Sequence, residues 1–181
     1  MVRRPPDGMR LFLEVLAFSA HKHRRHRRKD RHGSAYINHP IALARVLRNE
    51  GRVADLQTLC AAILHDTIED TETTRAELAR RFGRAIAGIV WEVTDDKRLH
   101  KRTRKRLQVE HAPRLSRRAK LVKLADKICN LRDLRASPPV GWSLRRKREY
   151  FQWAKRVVDG LRGVNPALER AFDRAYRGRP K

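Results

Sequence analysis

Apolar residues return at helical spacing along almost the whole chain. Between Asp7 and about Lys29, Phe12, Val15, Leu16 and Ser19 share one face at the i, i+3, i+4, i+7 interval. Pro40 suits a first helical turn, and Ile41, Ala44 and Leu47 carry that helix on to about Glu50, where Gly51 ends it. Asp55 is placed to cap a helix running through Leu59, Ile63 and Leu64. Thr74 with Glu77 forms a capping box for another, which stops near Phe82-Gly83. Arg84 to Val93 buries Ile86, Ile89, Val90 and Val93, whereas Asp95-Asp96-Lys97 looks like a loop. Ser116 opens a helix with the core stripe Leu121, Leu124, Ala125 and Ile128. Ser143 opens a long one through Tyr150, Trp153, Val157 and Val158 to about Leu161, and Pro166 starts a short terminal one. Strand-like alternation of useful length is absent, and no repeat is seen. The pattern predicts an all-α fold, one helical bundle of about eight to ten helices with short connections. Its domain is expected to span 1–181, with a core over about 11–172 and a basic tail at 173–181.

The stretch Ala61-Ala62-Ile63-Leu64-His65-Asp66-Thr67-Ile68-Glu69-Asp70 breaks the apolar pattern. Small and aliphatic residues run straight into a histidine and three carboxylates. A buried segment needs something to satisfy such groups, and a divalent metal would do so. Helical spacing puts Glu69 near the face of both His65 and Asp66. The plainer alternative is a helix end with a solvated acidic turn. Asp126 stands beside the core stripe of its helix, with Asn130 one turn on along the same side. It either pairs with Lys123 or Lys127, or points inward as a ligand. His39, just before Pro40, is a capping residue unless it faces His65 and Asp66 in space.

Composition changes the picture in one respect. Of 181 residues, 44 are Lys or Arg against 20 Asp or Glu, for a net charge of +24. Such a chain attracts polyanions: nucleic acid, an anionic membrane surface or small phosphorylated molecules. The cluster His21 to Asp30 and the segment Lys97 to Arg106 concentrate the charge. The first reads as a solvated helix end, an anion-binding rim or a nucleic-acid patch. Hydrophobic residues make up 40% of the chain, which excludes disorder by composition. Arg3 and Arg4 ahead of Leu11 to Phe18 mimic a secretory leader, but the apolar run contains Glu14 and leads into cations in place of a small-residue cleavage site. No run reaches the roughly eighteen apolar residues of a membrane span. Cys60 and Cys129 form no CxxC and read as buried thiols of a reducing cytoplasm.

His39, His65-Asp66 and Asp126, spread over three helices, resemble the ligand set of HD-domain metal phosphohydrolases. Tyr36-Ile37-Asn38-His39-Pro40, Leu64 to Thr71 and Lys123 to Leu134 resemble the hydrolase domain of RelA/SpoT homologues. Val93 to Lys97, Arg104 to Gln108, Gly141 to Ser143 and Tyr150 to Ala154 extend the likeness over about Leu11 to Phe172. The chain is similar to the stand-alone small alarmone hydrolases, metazoan members included; Ala35 stands where relatives often have Pro. The resemblance implies hydrolysis of the 3′-pyrophosphate of (p)ppGpp to GDP or GTP and pyrophosphate, with one Mn2+ ion. It implies His39, His65, Asp66 and Asp126 as ligands, and Glu69 and Asp70 as the groups that orient and deprotonate water. Arg28, Lys29, Tyr36, Lys101, Asn130 and Tyr150 would bind the nucleotide. Two imidazoles with two carboxylates independently suit Mn2+, Fe2+ or Zn2+. Two alternatives stay open: a (p)ppApp hydrolase or NADPH 2′-phosphatase using the same site, and a basic nucleic-acid-binding protein with an inactive HD site.

Overall fold

The computed structural model describes residues 7–180. Arg3 and Arg4 of the leader-like pattern and Lys181 of the basic tail lie outside the described residues. Among the described residues ten α-helices follow one another: α1 (Gly8–Lys22), α2 (Asn38–Arg45), α3 (Leu56–Leu64), α4 (Thr67–Asp70), α5 (Arg75–Phe82), α6 (Arg84–Val93), α7 (Lys101–His111), α8 (Arg117–Ala136), α9 (Leu144–Asp159) and α10 (Pro166–Arg177). A π-helical turn, Val46–Glu50, prolongs α2, and a 3-10 turn, Ala112–Arg114, joins α7 to α8. No strand occurs among the described residues; Arg27 and Ala35 form an isolated antiparallel bridge. The all-α expectation holds.

Helix starts follow the local chemistry read from the chain. Asp55, Thr74, Ser116 and Ser143 each accept a backbone N–H of the first turn, satisfying one donor that has no partner within the helix. Helix α8 is the axis of the bundle and packs against α2, α3, α6, α9 and α10. It is enclosed on most sides, and its eleven buried residues include Lys123 and Lys127 within an otherwise apolar set. Cys60 and Cys129 are free buried thiols. No helix among the described residues is long and apolar enough to cross a membrane.

Four segments differ from the sequence pattern. Helix α1 stops at Lys22, well short of Lys29. The next residues form an irregular arm that turns back on itself through Arg28 N–H to Ser34 O at 2.8 Å and Tyr36 N–H to His26 O at 3.2 Å. Like charges at successive positions gain nothing from helical stacking, and the arm folds around His23, which is buried and not a solvated helix end. Helix α7 forms within a cation-rich segment that has no apolar stripe and no fully buried residue. It docks onto α9 through Trp153, whose indole N–H donates to Lys105 O at 3.0 Å. Helix α10 runs to Arg177, past position 173 where the sequence places the basic tail, because Ala175 and Tyr176 pack against the core.

The fourth difference lies at the centre. The run Leu56 to Asp70 is not one helix but two, broken at His65-Asp66. Three successive carbonyls at the end of α3 are taken by side chains. His65 Nδ1 lies 2.8 Å from Ala62 O, Ser19 Oγ donates to Ile63 O at 2.8 Å, and Thr67 Oγ1 donates to Leu64 O at 2.7 Å. Side-chain donors thus close the helix end, and the chain re-enters a single turn, α4, at a new angle.

Candidate metal centre

Three elements meet at the break. His39 comes from the first turn of α2, His65 from the end of α3, and Asp126 from the middle of α8. One ligand-capable atom from each lies within 4.8 Å of the other two. His39 Nε2 is 3.3 Å from Asp126 Oδ1. Asp66 is outside that mutual group, but its Oδ2 is 2.9 Å from His65 Nε2 and it lines the same cavity of about 170 Å³. The four residues expected as ligands are therefore brought together, with Asp66 at one side.

The donor set fits a cation. The contact from His65 Nδ1 to the Ala62 carbonyl requires a proton on Nδ1, so Nε2 offers its lone pair. That buried Nε2 faces the Asp66 carboxylate without a satisfactory hydrogen bond. Two electron-rich atoms at 2.9 Å need a shared positive charge between them, either a proton or a metal. Without metal, the proton takes the place. Burial pushes His65 down, but the Asp66 and Asp126 carboxylates outweigh it and raise the imidazole to about 9. Asp66 is held well below the usual carboxylate range: burial opposes this, and His65 overcomes it.

Asp126 is oriented at both oxygens. Asn130 Nδ2 donates to Oδ1 at 2.6 Å and Lys127 Nζ donates to Oδ2 at 2.9 Å. Burial would raise its pKa; Lys127 and His39 bring it well below the ordinary value. Lys127 is itself buried, with its ammonium 4.5 Å from the centre of the Trp153 ring.

Glu69 lines the cavity opposite. Its Oε2 accepts the Asp95 N–H at 3.2 Å, and Arg104 Nη1 reaches Oε1 at 3.4 Å. Burial, then the charges of Asp66 and Asp95, push Glu69 up to about 7. Asp70, its sequence neighbour, lines neither this cavity nor the larger one and pairs with Lys97 on the outside.

A second cavity of about 470 Å³ opens next to the first and shares Arg28, Tyr36, His39 and Asn130 with it. Lys29, Asp133, Trp142 and Tyr150 also line it. Tyr36 lies between the His23 ring, 4.7 Å away, and the Arg28 guanidinium, and its hydroxyl donates to Asp66. Burial and the Asp66 charge raise this phenol far above its ordinary value. Burial pushes Tyr150 up to about 12, against the pull of Lys127. Lys101 is exposed and lines neither cavity; partial burial, then the charges of Arg146, Lys29 and Arg104, lower its pKa, which places it in the same cationic group. Five of the six residues expected to bind substrate thus line the larger cavity, and Lys101 stands outside.

Sequence reasoning overlooked Asp95, Gln108, Arg104, Lys123, Trp142 and Asp133 as parts of the site. Gln108 Nε2 clamps Asp95 Oδ2 at 2.6 Å, and Lys123 Nζ donates to Val93 O at 2.9 Å. The available signal for Lys123 and Lys127 was two lysines inside an apolar helix face; for Asp95 it was only the place of Val93 to Lys97 among the stretches that carry the resemblance.

Residues 15–151 match the HD-domain family. Over 166 residues the chain is 55% identical to the guanosine-3′,5′-bis(diphosphate) 3′-pyrophosphohydrolase MESH1 of Xenopus tropicalis, covering 92% of this chain and 93% of that one. The Homo sapiens protein of the same name is 54% identical over 167 residues, at 92% and 93% coverage. A solved structure, described as a metazoan ortholog of SpoT that hydrolyzes ppGpp, superposes with a TM-score of 0.91 at 47% identity and covers 98% of both chains.

Proposed function

The chain belongs to the HD-domain family, and from its kinship with the MESH1 3′-pyrophosphohydrolases we propose that it hydrolyses the 3′-pyrophosphate of (p)ppGpp, giving GDP or GTP and pyrophosphate. The observation that carries this reading is the convergence of His39, His65 and Asp126, with Asp66 beside them, in a small cavity that adjoins a cationic, aromatic-lined one.

His39, His65, Asp66 and Asp126 would hold one divalent ion, read as Mn2+, which when bound supplies Lewis-acid activation of water and of a phosphoryl oxygen. The protein's own residues do the rest. Glu69, whose carboxylate lines the same cavity, takes a proton from the attacking water and can return it to the departing ribose 3′-oxygen. Asp70 contributes through its charge on Glu69 and through its pairing with Lys97. Arg28 and Lys29 offer charge-assisted hydrogen bonds to the anionic substrate, and Lys101 adds field from the rim. Tyr36 and Tyr150 line the cavity that would take the nucleoside. Asn130 keeps Asp126 turned toward the cation.

The chain is read as one HD-type domain whose packed part extends to Arg177, and two free buried cysteines suit a reducing cytoplasm. Nucleic acid is not needed for this chemistry. The test is purified protein with Mn2+ against guanosine tetraphosphate, its adenosine analogue and NADPH. Pyrophosphate release from the guanosine compound is expected. Its absence in metal-loaded protein rejects the reading, and phosphate release from NADPH alone reassigns the substrate.

A further inference from the structure

The two imidazoles of the centre are held in different ways. His65 Nδ1 is tied to a fixed backbone carbonyl. His39 Nδ1 is buried and has no hydrogen-bond partner in the protein. With Nε2 turned to Asp126 at 3.3 Å, a ligating His39 must carry its proton on Nδ1, and a buried N–H without an acceptor is costly. One acceptor is near: Asp133 Oδ2, at 3.9 Å. That same oxygen is held by Arg28 Nη2 at 2.6 Å. Asp133 sits seven residues after Asp126 and three after Asn130 on α8, so all three share one face. It also lines the larger cavity with Arg28.

We infer that Asp133 is a positioning residue that couples the substrate cavity to the metal ligand His39. In the structure as it stands, Arg28 draws the carboxylate toward the cavity. A ligand that engages the Arg28 guanidinium releases Asp133, which needs to move only about 1 Å to accept the His39 Nδ1 proton at normal hydrogen-bond distance. The result is a carboxylate–histidine–metal relay completed when the cavity is occupied. Such partners fix ring orientation and make the imidazole a better ligand. This rests on the reading of His39 as a ligand and Arg28 as a substrate contact.

Mn2+ binding to the full chain, followed by titration calorimetry without substrate, tests it. Alone, with its carboxylate held by Arg28 and 3.9 Å from His39, Asp133→Ala changes substrate-free Mn2+ binding little; in the Arg28→Gln background it weakens binding about fivefold or more. Asp133→Asn, which keeps an acceptor oxygen, recovers part of the loss. Arg28→Gln frees Asp133 and tightens binding about fivefold or more, and this gain vanishes when Asp133→Ala is added. A gain that survives in the double variant is simple charge removal and overturns the coupling. Unchanged affinity when Asp133→Ala is added to Arg28→Gln also overturns it. His65→Ala separates the two levels: if it leaves Mn2+ binding intact, the ligand set itself is wrong; if it abolishes binding while adding Asp133→Ala to Arg28→Gln does nothing, only the coupling fails.

Discussion

Glu69→Gln separates what the site needs for chemistry from what the fold prefers. Glu69 titrates at about 7 in the metal-free protein, against an ordinary 4.5, because it is buried beside Asp66 and Asp95. The folded protein therefore keeps a proton that the unfolded chain loses between those values. Stability falls as pH rises through that window and is lowest above it. At about 1.4 kcal/mol per pH unit, the gap corresponds to about 3 kcal/mol at pH 8. Gln keeps an acceptor for the Asp95 N–H but gives up the long contact with Arg104, so the net gain is about 1–3 kcal/mol. For a chain of this size that raises the melting temperature by about 3–9 °C. The assay is thermal unfolding of both proteins at pH 5 and pH 8 in a chelating buffer, since a bound cation would itself relieve the carboxylate. The expected result is a stabilised variant at pH 8, little difference at pH 5, and hydrolysis reduced at least about a hundredfold once Mn2+ is restored. A gain of equal size at both pH values, or none at pH 8, refutes the burial argument.

Four further outcomes follow from the same geometry. Lowering the pH below about 9 forces Mn2+ to compete with the proton on His65, so calorimetric affinity drops by up to about tenfold per pH unit between 8.5 and 6.5; a flat profile contradicts the assignment. Asp126→Ala leaves the buried Lys127 ammonium without its 2.9 Å partner and costs about 3–5 kcal/mol in urea unfolding of metal-free protein. Ser19→Ala removes the donor to Ile63 O and costs about 1–3 kcal/mol by the same measurement, with weaker metal binding as the α3 end loosens. Gly51→Ala brings a Cβ to 2.8 Å from Leu47 O and 2.9 Å from Leu168, and thermal unfolding registers a loss of about 1–3 kcal/mol.

Fold class and helix starts were legible because caps and apolar stripes are local. Asp55, Thr74, Ser116 and Ser143 each act on the N–H three residues on, and any chain with that spacing meets the same demand. Helix ends were harder. The stop at Lys22 depends on an arm that packs His23 against Tyr36, a contact thirteen positions apart, and α7 depends on the distant Trp153. The break at His65-Asp66 uses Ser19, which comes from another helix and shows no sign of that role in its own neighbourhood.

The site divides along the same line. The four ligand candidates were visible because imidazoles and carboxylates inside apolar runs demand compensation wherever they fall. The groups that set their protonation and direction were not. Lys127 reads as a routine partner of Asp126, yet its burial under Trp153 turns an ordinary ion pair into a fixed charge at the centre. Asp95 acts on Glu69 through its charge and through a backbone N–H, and only the tertiary fold brings the two residues together. Asp133 matters only because α2, α8 and the cationic arm converge on one carboxylate oxygen. Side-chain chemistry announces which atoms can bind a cation; the electrostatics that make such a site selective and reactive arise from contacts between segments, and these exist only once the bundle has closed.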